Sequence, residues 1–231
     1  MDSYIVAFWA AIFSGLSWVS LFSLVRRIAP GPTRTYAFVD SWALAHLFLA
    51  SFSLAAACAG SVTRFECVLL GYAGLRIFEL TVYQVNVLLF DEYRARRAGQ
   101  DYAVRGYRRL VVLSVQNYIE VLLWFAFVYR NTTPWFESNH IPMDTIYGSL
   151  YFAVVTVATL GYGDITPVTR EGTTVVVLQS AVGFFMTLMI LARFIAILRT
   201  PATLDPFEAC VSAAPPNTPL QPPSGGQGRV V

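Results

Sequence analysis

The sequence predicts an all-α membrane protein: five membrane-spanning helices, and one shorter helix that dips into the bilayer and returns. Three observations carry that reading. Of 231 residues, 56% are hydrophobic and 13% charged, with a mean hydropathy of +0.55. Soluble domains carry about 25% charged residues, and one core of this size cannot hide so much apolar surface. Five stretches are long and apolar enough to cross a bilayer, which takes about 20 residues. A sixth, shorter apolar stretch lies between the last two and runs into Gly161-Tyr162-Gly163.

The predicted spans are 4–25, 37–62, 65–90, 110–129 and 173–198. Each can satisfy its backbone only as a helix, because lipid offers no hydrogen-bond partners. The first lacks a basic start and is too long for a cleavable leader, so it reads as a retained helix. Between spans three and four, 91–109 is a basic cytoplasmic linker, too charged to cross and suited to the interface. The tail at 201–231 holds seven prolines and a Ser-Gly-Gly-Gln-Gly run, a composition that does not fold. The chain thus divides into a three-helix region (1–90), the linker (91–109), a domain at 110–200 and a disordered cytoplasmic tail (201–231).

All 16 basic residues are arginine, and their placement sets orientation. Eleven lie in the loops after spans one, three and five, against three in the other loops. The N-terminus is expected outside and the C-terminus in the cytoplasm, across the plasma (inner) membrane. A net charge of +2 implies no nucleic-acid partner. Three cysteines make neither a disulfide framework nor a metal site. Cys58 and Cys67 flank a short outer loop, where they either bridge or serve as small apolar helix residues.

The loop between spans four and five is long, and loops of that length are usually functional or disordered. It begins polar at 131–144, turns apolar at 145–158, and continues as Thr159-Leu160-Gly161-Tyr162-Gly163-Asp164. An apolar run too short to span, set between two true spans, reads as a re-entrant helix. Irregular backbone at that depth must be buried in protein or line water, so the segment suggests an aqueous path.

This hexapeptide resembles the selectivity-filter signature of the tetrameric potassium channels, and the resemblance covers 110–200. It implies a homotetramer that conducts K+ passively down its electrochemical gradient. Rings of backbone carbonyls would replace the ion's hydration shell. By resemblance those carbonyls belong to Thr159, Leu160, Gly161 and Tyr162, with the Thr159 hydroxyl as the innermost ring. Gly161 and Gly163 supply backbone angles that other residues avoid. Asp164 stands at the outer mouth, where it would concentrate cations. The end of the pore helix near Val157 and Ala158 would turn its negative dipole toward the ion. Tyr151 and Phe152 stand where the family has an aromatic cuff supporting the filter; as single residues they read equally as interfacial aromatics.

Two departures from the family pattern stand out. Leu160 replaces the usual Val or Ile, which bears on selectivity and filter stability. Val155 stands where some members carry a carboxylate, so filter behaviour based on that acid is expected to be absent. Gly183 matches the family's hinge glycine in the inner helix; the other reading is close packing through a small residue. Phe184, Phe185, Met186, Leu188 and Met189 are candidates for a hydrophobic gate. Arg193 is expected to snorkel to the cytoplasmic interface.

The first three helices do not read as a voltage sensor, which needs several arginines on one helix. They hold one intramembrane arginine, Arg76. Glu79 shares its helix face, and Glu120 falls at a similar depth in span four. An Arg76–Glu120 or Arg76–Glu79 ion pair is expected, acting either as a coupling to the pore or as a static structural pair. His46 reads as a satisfied polar residue of the bundle.

No nucleophile–base set, nucleotide loop or metal cluster is visible, so no enzyme, cofactor or small-molecule substrate is expected. By the same resemblance, the expected partners are lipid and three further copies, and the expected permeant ion is K+. Two rivals remain: a weakly selective cation channel, if Leu160 loosens the filter, and a non-conducting subunit that modulates a partner channel.

Overall fold

Long apolar runs without lipid partners must fold as helices, and the charged or amide groups inside them decide which helices meet. The computed structural model describes residues 4–16, 20–28, 35–60, 65–90 and 107–197. Among these, the helices are α1 (Tyr4–Leu16), α2 (Leu21–Ile28), α3 (Tyr36–Cys58), α4 (Glu66–Val85), α5 (Tyr107–Asn131), α6 (Ile146–Val157) and α7 (Arg170–Ile197). Helix α4 runs into one π-helical turn at Asn86–Phe90.

Among the described residues, three helices are long and apolar enough to cross a membrane: Ala37–Cys58, Arg109–Asn131 and Arg170–Ile195. The stretch read as a single first span, 4–25, instead holds α1 and the start of α2. The physical reason lies at the start of α2. The Ser20 hydroxyl and the Phe22 N–H both donate to the Glu79 carboxylate. A new helix begins where a buried acid takes one of its free N–H groups. Most of the linker (91–106) and the tail (201–231) lie outside the described residues.

Helix α5 is the hub, packing against α3, α4, α6 and α7. Trp124, Phe125, Ala126, Phe127 and Tyr129 are buried on it. Its stretch 121–129 is apolar on every side, which suits the middle of a bundle. Polar contacts fix its neighbours' directions. Arg109 bonds Asp40 at 2.6 Å, and Arg130 donates to the Ala57 carbonyl at 2.9 Å. Helices α3 and α5 are therefore pinned at both ends and run the same way. Arg130 also places its positive charge at the C-terminal end of α3, the negative end of the helix dipole. On the other side, α5 and α7 run oppositely: Ser114 meets Arg193, and Tyr129 meets Gln179.

A two-stranded antiparallel clasp closes the long loop. Strand β1 (Phe136–Ser138) pairs with β2 (Ile165–Pro167), Phe136 facing Pro167 and Ser138 facing Ile165. It joins the chain just after α5 to the chain just before α7. Cys58 and Cys67 are free thiols. His46 sits beside Trp42, its Nδ1 2.8 Å from the Trp42 carbonyl oxygen.

Candidate functional site

Helix α6 has 12 residues, too few to be stable alone, so its caps and neighbours position it. At its start, the Thr145 Oγ1 accepts the Gly148 N–H at 3.0 Å, satisfying one of the free donors of the first turn. At its end, the Leu160 N–H reaches the Val155 carbonyl at 3.0 Å and the Thr159 N–H reaches the Thr156 carbonyl at 3.1 Å. These nested bonds form a Schellman motif, whose left-handed residue is usually glycine. Here it is Thr159, with φ of 57°. A left-handed residue with a Cβ costs about 1–2 kcal/mol.

Left-handed backbone recurs at Gly161 (φ 56°) and Gly163 (φ 76°), where the missing Cβ removes the penalty. Every second residue from 159 to 163 therefore has positive φ. All five residues are exposed on the single chain, Leu160 by 54% and Tyr162 by 67%.

Asp164 fixes the far end. Its Oδ2 accepts the Tyr151 hydroxyl, its Oδ1 accepts the Ile165 N–H at 3.0 Å, and its carbonyl accepts the Asn139 N–H at 3.2 Å. The carboxylate expected at an open mouth is thus engaged on both oxygens. Its hydrogen bond holds the Tyr151 proton, pushing that phenol up to about 12. The 159–163 segment is strung between two fixed points, the Schellman turn and the Asp164 clamp.

Tyr151 and Phe152, adjacent in sequence, do different things. Tyr151 bonds Asp164 and stacks on Tyr147 at 6.1 Å. Phe152 is buried inside the chain, 4.8 Å from the Tyr129 ring and 5.4 Å from Phe136. Tyr129 and Phe136 lie 5.3 Å apart, edge to face. Such pairs add about 0.5–1.5 kcal/mol each beyond their burial. This trio ties α6 to α5 and to the clasp. Val155 is buried, and its carbonyl accepts the Leu160 N–H.

On the other flank α6 meets α7 at two levels. The Gln179 Nε2 donates to the Ala153 carbonyl at 2.6 Å, and its Oε1 accepts the Tyr129 hydroxyl. One turn on, Gly183 faces Val157, where an added Cβ would lie 2.1 Å from the valine Cγ2. Helix α7 is continuous through Gly183. The glycine here makes room for α6. Sequence reasoning passed over Gln179, although an amide inside an apolar span was a signal.

Helix α7 divides into two faces. Gln179, Gly183, Met186 and Arg193 are buried, whereas Val177, Phe184, Leu188, Leu191 and Ile195 are exposed. Of the gate candidates, Met186 is wholly buried in the chain; Phe184 and Leu188 lie on the open face, and Phe185 and Met189 are half-buried. Arg193 does not end at a lipid surface. It reaches the first turns of α5, donating to Ser114 Oγ and to the Leu110 carbonyl.

The buried charges of α4 and α5 form one network. The Arg76 Nε donates to Glu120 Oε1 at 2.6 Å and its Nη2 to Glu120 Oε2 at 3.2 Å. Its Nη1 donates to Glu79 Oε2 at 2.7 Å. Trp124 Nε1 adds a bond to Glu120 at 3.3 Å, and Glu79 holds Ser20 and the start of α2. All three charged residues are buried. One guanidinium faces two carboxylates, and the second negative charge rests on the positive end of α2. The sites read separately from the sequence therefore form two centres: the 159–164 segment with its supports, and the Arg76 network where α4 joins α5.

Residues 118–200 match the family model described as ion channel. That range begins within α5 and contains α6, the 159–164 segment and the described length of α7. No curated protein and no solved structure matches the chain. Residues 118–200 are thus similar to an ion channel, a class of membrane protein that is not an enzyme.

Proposed function

We propose that four copies of this chain form a potassium-selective channel, with the segment Thr159-Leu160-Gly161-Tyr162-Gly163 as its filter. The observation that carries the proposal is the alternation of left-handed backbone at Thr159, Gly161 and Gly163. Alternating hand along a strand gathers successive N–H groups on one side, which sends the carbonyls to the other. One strand of carbonyls cannot enclose an ion; four strands around an axis can. Leu160 and Tyr162, exposed on one copy, are apolar side chains that neighbouring copies would cover. Asp164 and Tyr151 hold the outer end of the filter.

In this reading the exposed face of α7, from Val177 through Phe184 and Leu188 to Ile195, lines the conduction axis, and Phe184 and Leu188 form the gate. The Gly183 hinge belongs to the same proposal, alongside the packing contact with Val157. Helices α3, α4, α5 and α7 cross the membrane, and α1 with α2 makes the fifth passage. Helix α4 can cross because the charges of Arg76 and Glu79 are sealed inside the bundle. The arginine distribution favours an outer N-terminus and a cytoplasmic C-terminus in the plasma membrane.

The test is ion flux into liposomes containing the purified full-length protein. Potassium entry without sodium entry supports the proposal. Equal entry of both ions identifies a weakly selective cation channel. An intact assembly that passes neither ion identifies a modulatory subunit.

A further inference from the structure

We infer that Gln179 is a positioning residue for the filter: its amide sets the rotation of the pore helix by bridging the Tyr129 hydroxyl to the Ala153 carbonyl. The inference rests on the channel reading above and adds a determinant of selectivity outside the filter itself.

Gln179 is fully buried, as are Tyr129 and Ala153. Its amide uses both ends, donating to Ala153 at 2.6 Å and accepting from Tyr129. Three helices therefore meet at one side chain: α5 through Tyr129, α6 through Ala153 and α7 through Gln179. In an apolar interior an amide left without these partners would carry a desolvation cost, so the geometry is self-enforcing.

The contact has a definite register. Ala153 and Val157 are one turn apart on α6, and Gln179 and Gly183 are one turn apart on α7. The lower contact, Val157 against Gly183, is tight packing, which fixes how closely the helices approach. It does not fix rotation, because a methyl group has no required direction. A hydrogen bond to a carbonyl does. The upper contact therefore sets the angle at which α6 hands the chain to Thr159, and every carbonyl from 159 to 162 inherits that angle. The two levels also make Gln179 the polar link between the inner helix and the filter, so a shift of α7 at this turn reaches the filter through a bond.

Removing the amide should leave a channel that assembles and opens but discriminates poorly. The test uses the full-length protein in planar bilayers, reading the K+ over Na+ permeability ratio and the rate of current decay per open channel. Gln179→Leu is expected to lower that ratio by about tenfold, the factor that separates states differing by one buried hydrogen bond. Tyr129→Phe, which leaves the bond to Ala153 in place, should lower it less. Gln179→Glu supplies the readout that a merely structural role would not move. Protonated, the substituted carboxyl can donate to Ala153 and accept from Tyr129, the titratable group bonded to it. Ionised, it can only accept, and it faces a carbonyl. That variant should select like wild type in acid and lose selectivity as pH rises, while wild type stays constant over the same range.

Wild-type ratios and decay rates in all three variants would overturn the inference. So would a Gln179→Leu protein made in lower amount but unchanged per channel. If Gln179→Leu fails to fold, Tyr129→Phe and the pH response of Gln179→Glu decide. A wild-type protein that itself fails to prefer K+ refutes the channel reading, an outcome distinct from a selective wild type with indifferent variants.

Discussion

The Arg76 guanidinium grips the Glu120 carboxylate with two nitrogens, Nε at 2.6 Å and Nη2 at 3.2 Å. That contact ties α4 to α5, the helix against which α6 and α7 also pack. Breaking it from one side leaves a buried charge without its partner. Arg76→Leu strands two carboxylates and should cost about 3–5 kcal/mol. The readout is loss of intact assembly on heating in detergent. Glu120→Gln should cost less, because an amide oxygen still accepts from Arg76. It should leave conduction intact and alter gating or assembly. Wild-type behaviour of Glu120→Gln in both would leave the pair with no coupling role.

Gly183 and Val157 give a second test. An added methyl at Gly183 overlaps the valine side chain, and overpacking of this kind costs about 1–3 kcal/mol. Gly183→Ala should lower thermal stability and alter current. If close packing is the reason for the glycine, Gly183→Ala with Val157→Ala should recover both. If bending is the reason, the second substitution will not help, because the alanine still stiffens α7.

The Tyr151–Asp164 bond predicts a pH window. The folded phenol titrates near 12 rather than at the ordinary 10. Its folded value is raised, so the clamp's contribution is complete below about pH 10 and is lost as pH rises toward 12. Tyr151→Phe removes the donor. Its current should decay faster at neutral pH, and its decay rate should not change between pH 10 and 12. Wild type should approach the variant's rate over that interval. Equal decay at neutral pH would contradict the clamp.

The parts legible in the sequence were those carried by length and by residue type. Spans two, four and five stand close to α3, α5 and α7, because 20 or more apolar residues in lipid have one solution. The helix at Ile146–Val157 was legible as an apolar run too short to cross. Other features depended on neighbours far off in the chain. The break between α1 and α2 answers to Glu79, more than 50 residues on. The three-residue strands are too short for any alternation to register. Thr159 takes a left-handed angle that its side chain disfavours, because the turn out of α6 demands it there. Gln179 was the most readable omission: an amide in the middle of an apolar span needs a partner, and the partners lie on two other helices. Arg193 found protein oxygens on α5 before it could reach the interface.

In the proposed channel, the backbone from Thr159 to Gly163 replaces water around K+ and does so poorly for Na+. The most direct measurement is the reversal potential of the purified wild-type protein in a planar bilayer, with K+ on one side and an equal concentration of Na+ on the other. The reversal is expected far from zero, on the side that marks K+ as the permeant ion, with that current lost in Gly161→Ala. A reversal at zero, or a current that Gly161→Ala leaves unchanged, would contradict it.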